Sequence, residues 1–206
     1  MDPDLWTGMT KGMKKLILAS SSKQRIALME ALNLPLIVIP ADIDEKAIRD
    51  SDPAKQAEKI ARAKAERVFA KHPEAVIVAG DSFAVVNGKV FEKPETKEEA
   101  KVMLQEQSGQ KGIVYAGICY IDPGKKMNIS KTIEIPFQFR EFTAEEISGY
   151  VKKFPSLTWS GGISPAYIYG MTMTQWLNGS LTGFAHGFPM ETIIPLLQRS
   201  GFSITP

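Results

Sequence analysis

The apolar positions of this chain follow two periods. Short continuous runs at residues 15–19, 36–39 and 75–79 predict fully buried strands. Between them, spacings of three and four predict two helices. The first covers residues 23–32, with Ile26, Leu28, Met29 and Leu32 inward and Asn33 as its stop. The second, residues 53–71, is the longest, and Pro53 suits its first turn. Gly80 reads as the end of the third apolar run. A further strand over 83–86 then meets Asn87-Gly88, a tight-turn dipeptide, and returns over 89–91. Thr96 with Glu99 has the form of a capping box for a helix reaching Gln107, which Ser108-Gly109 ends. Two long strand-like runs, 113–121 and 129–139, join through the turn residues Asp122-Pro123-Gly124. Thr143 with Glu146 opens another helix that ends near Phe154-Pro155. Residues 156–188 carry no clear period, and a last helix over 189–200 stops at Gly201. Alternating strands and helices early, with antiparallel strands in the middle, predict an α/β fold with a mixed sheet.

Composition narrows the function. A chain of 206 residues favours one domain, or one with two lobes, over residues 14–206. Residues 1–13 are expected to be a loose tail; Asp2, Asp4 and the lack of a basic leader argue against a signal peptide, and Met13 is a possible start. A net charge of +2 gives no general attraction for nucleic acid or membrane. No apolar run approaches the roughly 18 residues that a membrane helix needs. The single cysteine, Cys119, excludes an intramolecular disulfide and fits a reducing, cytoplasmic setting. Its apolar strand context reads as core packing rather than nucleophilic chemistry. His72 and His186 are too few and too far apart for a metal site.

The chemistry concentrates in a few places. Asp81 follows a buried strand, where open α/β sheets keep their reactive groups, and the hairpin brings Lys93 toward the same end. The plain alternative is a turn-capping Asp81 and a solvated Lys93. Ser20-Ser21-Ser22 leads from a strand into a helix start, where free N–H groups bind anions; Ser22 equally serves as an N-cap. Lys23 and Arg25 oppose the helix dipole there unless an anion is present. Along the long helix, Ala57, Ile60, Ala61, Ala65 and Val68 form an apolar stripe with Lys64 in its middle. Such a lysine either snorkels or reaches into a cleft with an acidic or phosphate partner. Asp42, Asp44, Glu45 and Asp81, taken with Arg25, Lys64 and Lys93, suit a hard divalent ion and a polyphosphate, although a loop like 42–45 is more commonly a solvated turn. Trp159, Tyr167, Tyr169 and Trp176 suit base stacking or, more commonly, packing.

Several of these segments, in order, resemble the Maf family of nucleoside triphosphate pyrophosphatases. KLILASSSKQRIALMEALNLPLIVIPADIDE resembles that family's strand, S-x-S-P-R-R loop, helix and acidic loop. ARAKA resembles its A-x-x-K-A, AGDSFAVVNGKVFEKP its G-A-D-T-V-V…G…K-P block, and SGQKGIVYAGI its S-G-x-T-H-x-V-Y-T-G. The match spans residues 15–118, and more loosely 183–187 and the last helix. The resemblance implies a mixed, bent sheet flanked by helices, two lobes around a central cleft as in inosine triphosphatases, and a possible homodimer. It implies cleavage of a nucleoside triphosphate to monophosphate and pyrophosphate with Mg²⁺ or Mn²⁺. Asp81 would be the general base or metal-linked carboxylate, Glu45 would help hold the metal, and Lys64 and Lys93 would bind phosphates. Ser20, Ser22, Lys23, Gln24, Arg25 and Ser82 would line the substrate.

The departures fall at the base-selecting end. Lys23-Gln24-Arg25 stands where the family has Pro-Arg-Arg, so Gln24 replaces the first arginine, and Ser82 replaces a threonine. The family's late D-K-A-G-A-Y-G-I-Q-G stretch falls near 158–167, without its aspartate, lysine and glutamine. Two alternatives follow: a nucleotide-binding or regulatory protein with little turnover, and a house-cleaning pyrophosphatase of the inosine triphosphate type.

Overall fold

The structure is a computed structural model, and it describes residues 14–204. The tail expected at 1–13 lies outside the described residues. Among those described, seven strands form one mixed sheet of order β2-β1-β3-β5-β6-β7, with β4 paired to β3. The strands are β1 (Leu16–Leu18), β2 (Leu36–Val38), β3 (Val76–Val86), β4 (Lys89–Val90), β5 (Lys111–Asp122), β6 (Met127–Phe139) and β7 (Thr174–Leu177). The helices are α1 (Lys23–Glu30), α2 (Pro53–Phe69), α3 (Lys97–Gln107), α4 (Ala144–Lys153), α5 (Ile168–Thr172), α6 (Leu181–His186) and α7 (Met190–Arg199). The mixed α/β architecture read from the sequence is present.

β1 is parallel to both β2 and β3, whereas the successive pairs β3–β5, β5–β6 and β6–β7 are antiparallel. Period-two alternation divides β3 between two faces. Ile77 and Ala79 meet Ala61, Ala65 and Val68 of α2. Val76 and Val78 meet Met29 of α1 and Ile193 and Leu197 of α7. A third core lies toward the far ends of β3, β5 and β6, where Val86, Val114, Ile135 and Phe137 pack with Leu104 of α3 and Ile147 of α4. α2 seats hard against β5: a Cβ on Gly117 would lie 2.3 Å from the Ala57 carbonyl oxygen.

The local signals mostly hold. Asp52 caps α2 with Pro53 at its start, Asn87 and Gly88 both take positive φ, and Thr143 and Glu146 form a full capping box. At α3, Thr96 accepts from the Glu99 N–H, but the Glu99 carboxylate takes the N–H of Glu95 rather than that of the cap residue. The main correction concerns Gly80. It ends nothing: β3 runs eleven residues through Gly80 and Asp81, because β5 pairs with it throughout. Glycine is needed there for space, since a Cβ would meet the Phe188 ring at 2.8 Å.

That continuity creates the feature on which the site depends. On its other edge β3 pairs with β1 only as far as Val78 and with β4 only from Val85. Residues 79–84 therefore have no strand on that edge, and Asp81 stands in the gap. α1 and α2, which follow β1 and β2, pack on opposite faces of the sheet. The crevice beyond the end of β1 is thus a topological switch point, the usual binding position in such sheets.

Candidate active site

The gap opens into a cleft of about 930 Å³. Its walls include the Ser20–Ser22 loop, Glu45, Lys64, Lys93, Thr158 and Trp159. Asp81 continues the α2-facing row of Ile77 and Ala79, which explains its meeting with Lys64. The Lys64 ammonium lies 2.9 Å from Asp81 Oδ1 and 2.9 Å from Glu45 Oε2. Lys64 and Asp81 are each only 9% exposed, so both charges are largely withdrawn from water. Lys64 thus has two acidic partners in a cleft, and the snorkelling alternative does not describe it. Glu45 opens a short 3₁₀ turn capped by Asp44, whose Oδ1 accepts from the Lys46 N–H. Asp44 is therefore engaged in a turn, and within that loop Glu45 is the carboxylate that pairs with Lys64.

The serine loop is ordered by its own side chains. Ser20 Oγ accepts the Ser22 N–H, and Ser22 caps α1 by accepting the Arg25 N–H. Lys23 is exposed at the cleft rim. Gln24 Nε2 donates to Ser164 Oγ at 3.0 Å, linking α1 to the opposite wall. Arg25 is buried, and its Nη1 donates to the Gly80 carbonyl at 2.6 Å while Nη2 donates to Ser82 Oγ at 2.8 Å. It thereby satisfies a strand carbonyl that the gap leaves unpaired. Burial pulls the Arg25 pKa down, and the nearby charges of Asp81 and Glu45 oppose that shift. β4 turns the chain back so that Lys93 reaches the same cleft.

The ten residues that the resemblance assigns to the site converge: eight line the cleft, Asp81 reaches it through Lys64, and Ser82 reaches it through Arg25; Asp42 also lines the cleft, whereas Asp44 does not. Cys119 is buried in the α2-side core, as expected. Of the aromatics, Trp159 and Tyr167 line the cleft with ring centroids 4.9 Å apart. Trp176 lies on β7 and donates to Gln138. The sequence reading missed Gly187, where an added Cβ would lie 1.8 Å from Ser82 Oγ and 3.0 Å from Arg25 Nη2. It also missed Gln107 and Ser164, polar residues inside segments that read as helix end and irregular loop. A glutamine one residue before Ser-Gly gives no period-based signal of burial.

This is an α/β protein with a charged cleft at its switch point, in which one lysine joins two carboxylates beside a serine loop at a helix start. The chain belongs to the Maf family: the family model described as "Maf-like protein" matches residues 15–200. It is 31% identical over 191 residues to the 7-methyl-GTP pyrophosphatase of Nitrosococcus oceani, covering 92% of this chain and 94% of that protein. It is also 31% identical over 190 residues to the dTTP/UTP pyrophosphatase of Deinococcus radiodurans, with 92% and 94% coverage. The Ham1 protein of Staphylococcus aureus aligns over 90% of this chain and 97% of its own, at 15% identity and a TM-score of 0.46.

Proposed function

We propose that this chain hydrolyses a nucleoside triphosphate to the monophosphate and pyrophosphate. The observation that carries this reading is the Lys64 ammonium held between Asp81 and Glu45 in a cleft large enough for a nucleotide. The names of the curated relatives, pyrophosphatases acting on dTTP and UTP or on 7-methyl-GTP, support the substrate class.

In the reaction a water oxygen forms a bond to the α-phosphorus, and the bond from that phosphorus to the α–β bridging oxygen breaks. The bridging oxygen leaves with pyrophosphate. Asp81 accepts the proton of the attacking water. Lys64 and Lys93 hold the phosphates and offset the charge that grows on the leaving group. Ser20 and the N–H groups at the start of α1 orient the phosphate chain, and Arg25 and Ser82 fix the strand on both sides of Asp81.

A divalent cation such as Mg²⁺ or Mn²⁺ fits these residues. Asp81 and Glu45 already converge on one positive charge, and Mg²⁺ commonly takes only one or two carboxylates when phosphates supply other oxygens. Among the described residues no three His, Cys, Asp or Glu side chains could hold a metal together. Asp81 and Glu45 would therefore hold it jointly with the substrate. When bound, such an ion neutralises phosphate charge and lowers the pKa of water.

The test is pyrophosphate release from a nucleotide panel that includes dTTP, UTP and 7-methyl-GTP, with Mg²⁺ or Mn²⁺. At least one nucleotide should turn over, and Asp81→Asn should reduce that rate by about a thousandfold or more while the fold persists. With Gln24 neutral and bound to Ser164, a hundredfold lead of dTTP and UTP over all others is not expected. Near-wild-type turnover by Asp81→Asn would refute the assignment of the base.

A further inference from the structure

Next to the phosphate cleft lies a side pocket of about 240 Å³. The two share Ser22, Gln24, Arg25, Lys93, Thr158 and Trp159, so one ligand can occupy both. The side pocket has an apolar lining from Val114, Phe137, Phe139, Ile163 and Phe184. Beyond the groups shared with the cleft, Ser82, Ser160, Ser164 and His186 add polar atoms, and Gln107, at the C-terminal end of α3, is the most deeply buried of its polar residues.

Gln107 is only 3% exposed, and its amide is fixed by its donors. Nε2 donates to the Met103 carbonyl at 3.0 Å and to the Gly161 carbonyl at 2.8 Å. An amide nitrogen has two N–H groups, and both are used, so the orientation of the amide follows from two acceptors that cannot donate. Its oxygen, Oε1, has no hydrogen-bond donor among the described residues. It is not among the fully buried polar atoms that lack a partner, so it stays accessible in the pocket and can accept from a molecule bound there.

The surrounding loop is shaped around this side chain. Gly161 has φ +67, and a Cβ there would lie 2.9 Å from both Gln107 Nε2 and Oε1. The Gly161 N–H donates to the Glu92 carbonyl, one residue before Lys93. Ser164, three residues further on, is the group held by Gln24. The wall between the two cavities is therefore fixed at Gln107, at Glu92 and at Gln24.

We propose that the side pocket takes the nucleobase and that Gln107 Oε1 accepts an N–H from its hydrogen-bonding edge. The proposal rests on the nucleotide reading above, and it makes Gln107 a specificity-determining residue. The ligand class is a triphosphate of a base with an N–H on that edge, such as N3–H of a 4-oxopyrimidine or N1–H of a 6-oxopurine. A base carrying a methyl group in place of that hydrogen would meet the oxygen with no proton to share.

The experiment compares each nucleotide with its edge-methylated partner, UTP with N3-methyl-UTP and GTP with N1-methyl-GTP. Binding is read by calorimetry and turnover by pyrophosphate release, with inorganic tripolyphosphate as a probe lacking a base. In the unmodified protein the preferred parent should bind about tenfold or more better than its methylated partner, the loss of one good hydrogen bond in a dry site. Gln107→Met keeps the length and apolar stem; it should erase the difference within that pair while leaving tripolyphosphate affinity unchanged. A structural role alone would weaken parent, methylated partner and tripolyphosphate together, and that result overturns the proposal. Equal binding of parent and methylated nucleotide by the unmodified protein overturns it as well, whatever the variant does. Discrimination in binding without pyrophosphate release would keep the base-edge role and refute hydrolysis. Release without discrimination would do the reverse, and failure of every nucleotide to bind would refute both.

Discussion

Replacing Lys64 by Met tests whether the centre of the cleft is a charge cluster or only a well-packed helix face. Methionine would complete the apolar stripe of α2 and fill much of the same volume, which taken alone favours stability. The structure sets a larger opposing effect. Asp81, its side chain 12% exposed, would lose the cation 2.9 Å away and remain charged in a largely dry site. Breaking one side of a buried pair costs about 3–5 kcal/mol. Glu45 is half exposed and regains water, so it adds little. Allowing about 1 kcal/mol for the added apolar contact leaves a net loss of about 2–4 kcal/mol, or about 4–16 °C in a domain of this size. Urea denaturation of the unmodified protein, Lys64→Met, Asp81→Asn and the double variant measures this directly. The double variant leaves no buried charge unpaired, so the coupling should be about 1.5 kcal/mol or more. A Lys64→Met loss below about 0.5 kcal/mol, or additivity within that margin, would show that water screens the pair and that the cleft is not a low-dielectric site.

Other changes probe the supports of the same strand, the end of α7 and the start of α4. Gly187→Ala combines φ +61 with contacts on Ser82 and Arg25; a loss of about 2 kcal/mol or more and a fall in pyrophosphate release are expected. Gly201→Ala, at φ +91 with nothing within 4 Å, should cost only the backbone strain of about 1–2 kcal/mol and leave activity unchanged, a comparison made by thermal melts and rates. Glu146 is held down to about pH 2, first by its bond from Arg140 and then by the Thr143 N–H, from an ordinary value of 4.5. Because the folded-state value is depressed, this contribution is present above pH 4.5 and disappears as the pH falls toward 2. Both partners are roughly a third exposed, so the stability gap between the protein and Glu146→Gln should be at most ~1 kcal/mol at pH 7. It should close by pH 2 in urea titrations, and a gap that is independent of pH would refute the ionic origin.

The parts of the fold governed by local rules were legible in the chain. Asn87-Gly88 specified its turn, Thr143 with Glu146 specified a cap, and Lys64 was conspicuous as a charge inside an apolar stripe. The error at Gly80 arose because a glycine after an apolar run reads as a break. Only the partner strand, β5, and the ring of Phe188 reveal that it is a point of close packing. Residues 156–188 had no readable period because their structure is 3₁₀ turns, two short helices and a four-residue strand. Elements that brief are set by tertiary contacts, such as Gly161 against Gln107. The grouping of Glu45, Lys64, Asp81 and Lys93 was legible from charge and strand-end position, and the resemblance added their roles; its physical cause, the interrupted edge of β3, depends on where β1 and β4 stop.

That interruption has a colloidal consequence. An unpaired strand edge is a template on which another chain can add, and proteins guard such edges with charge or cover. Under the function proposed above, the six residues between β1 and β4 stay open to admit substrate, so no strand covers them. Arg25 does the guarding from within, occupying the Gly80 carbonyl with a guanidinium that no incoming backbone readily displaces. Arg25→Ala should therefore self-associate with rising concentration in light scattering while its helical circular dichroism is still intact. A variant whose scattering stays at the unmodified protein's value until it unfolds would show that the cleft walls alone keep other chains out.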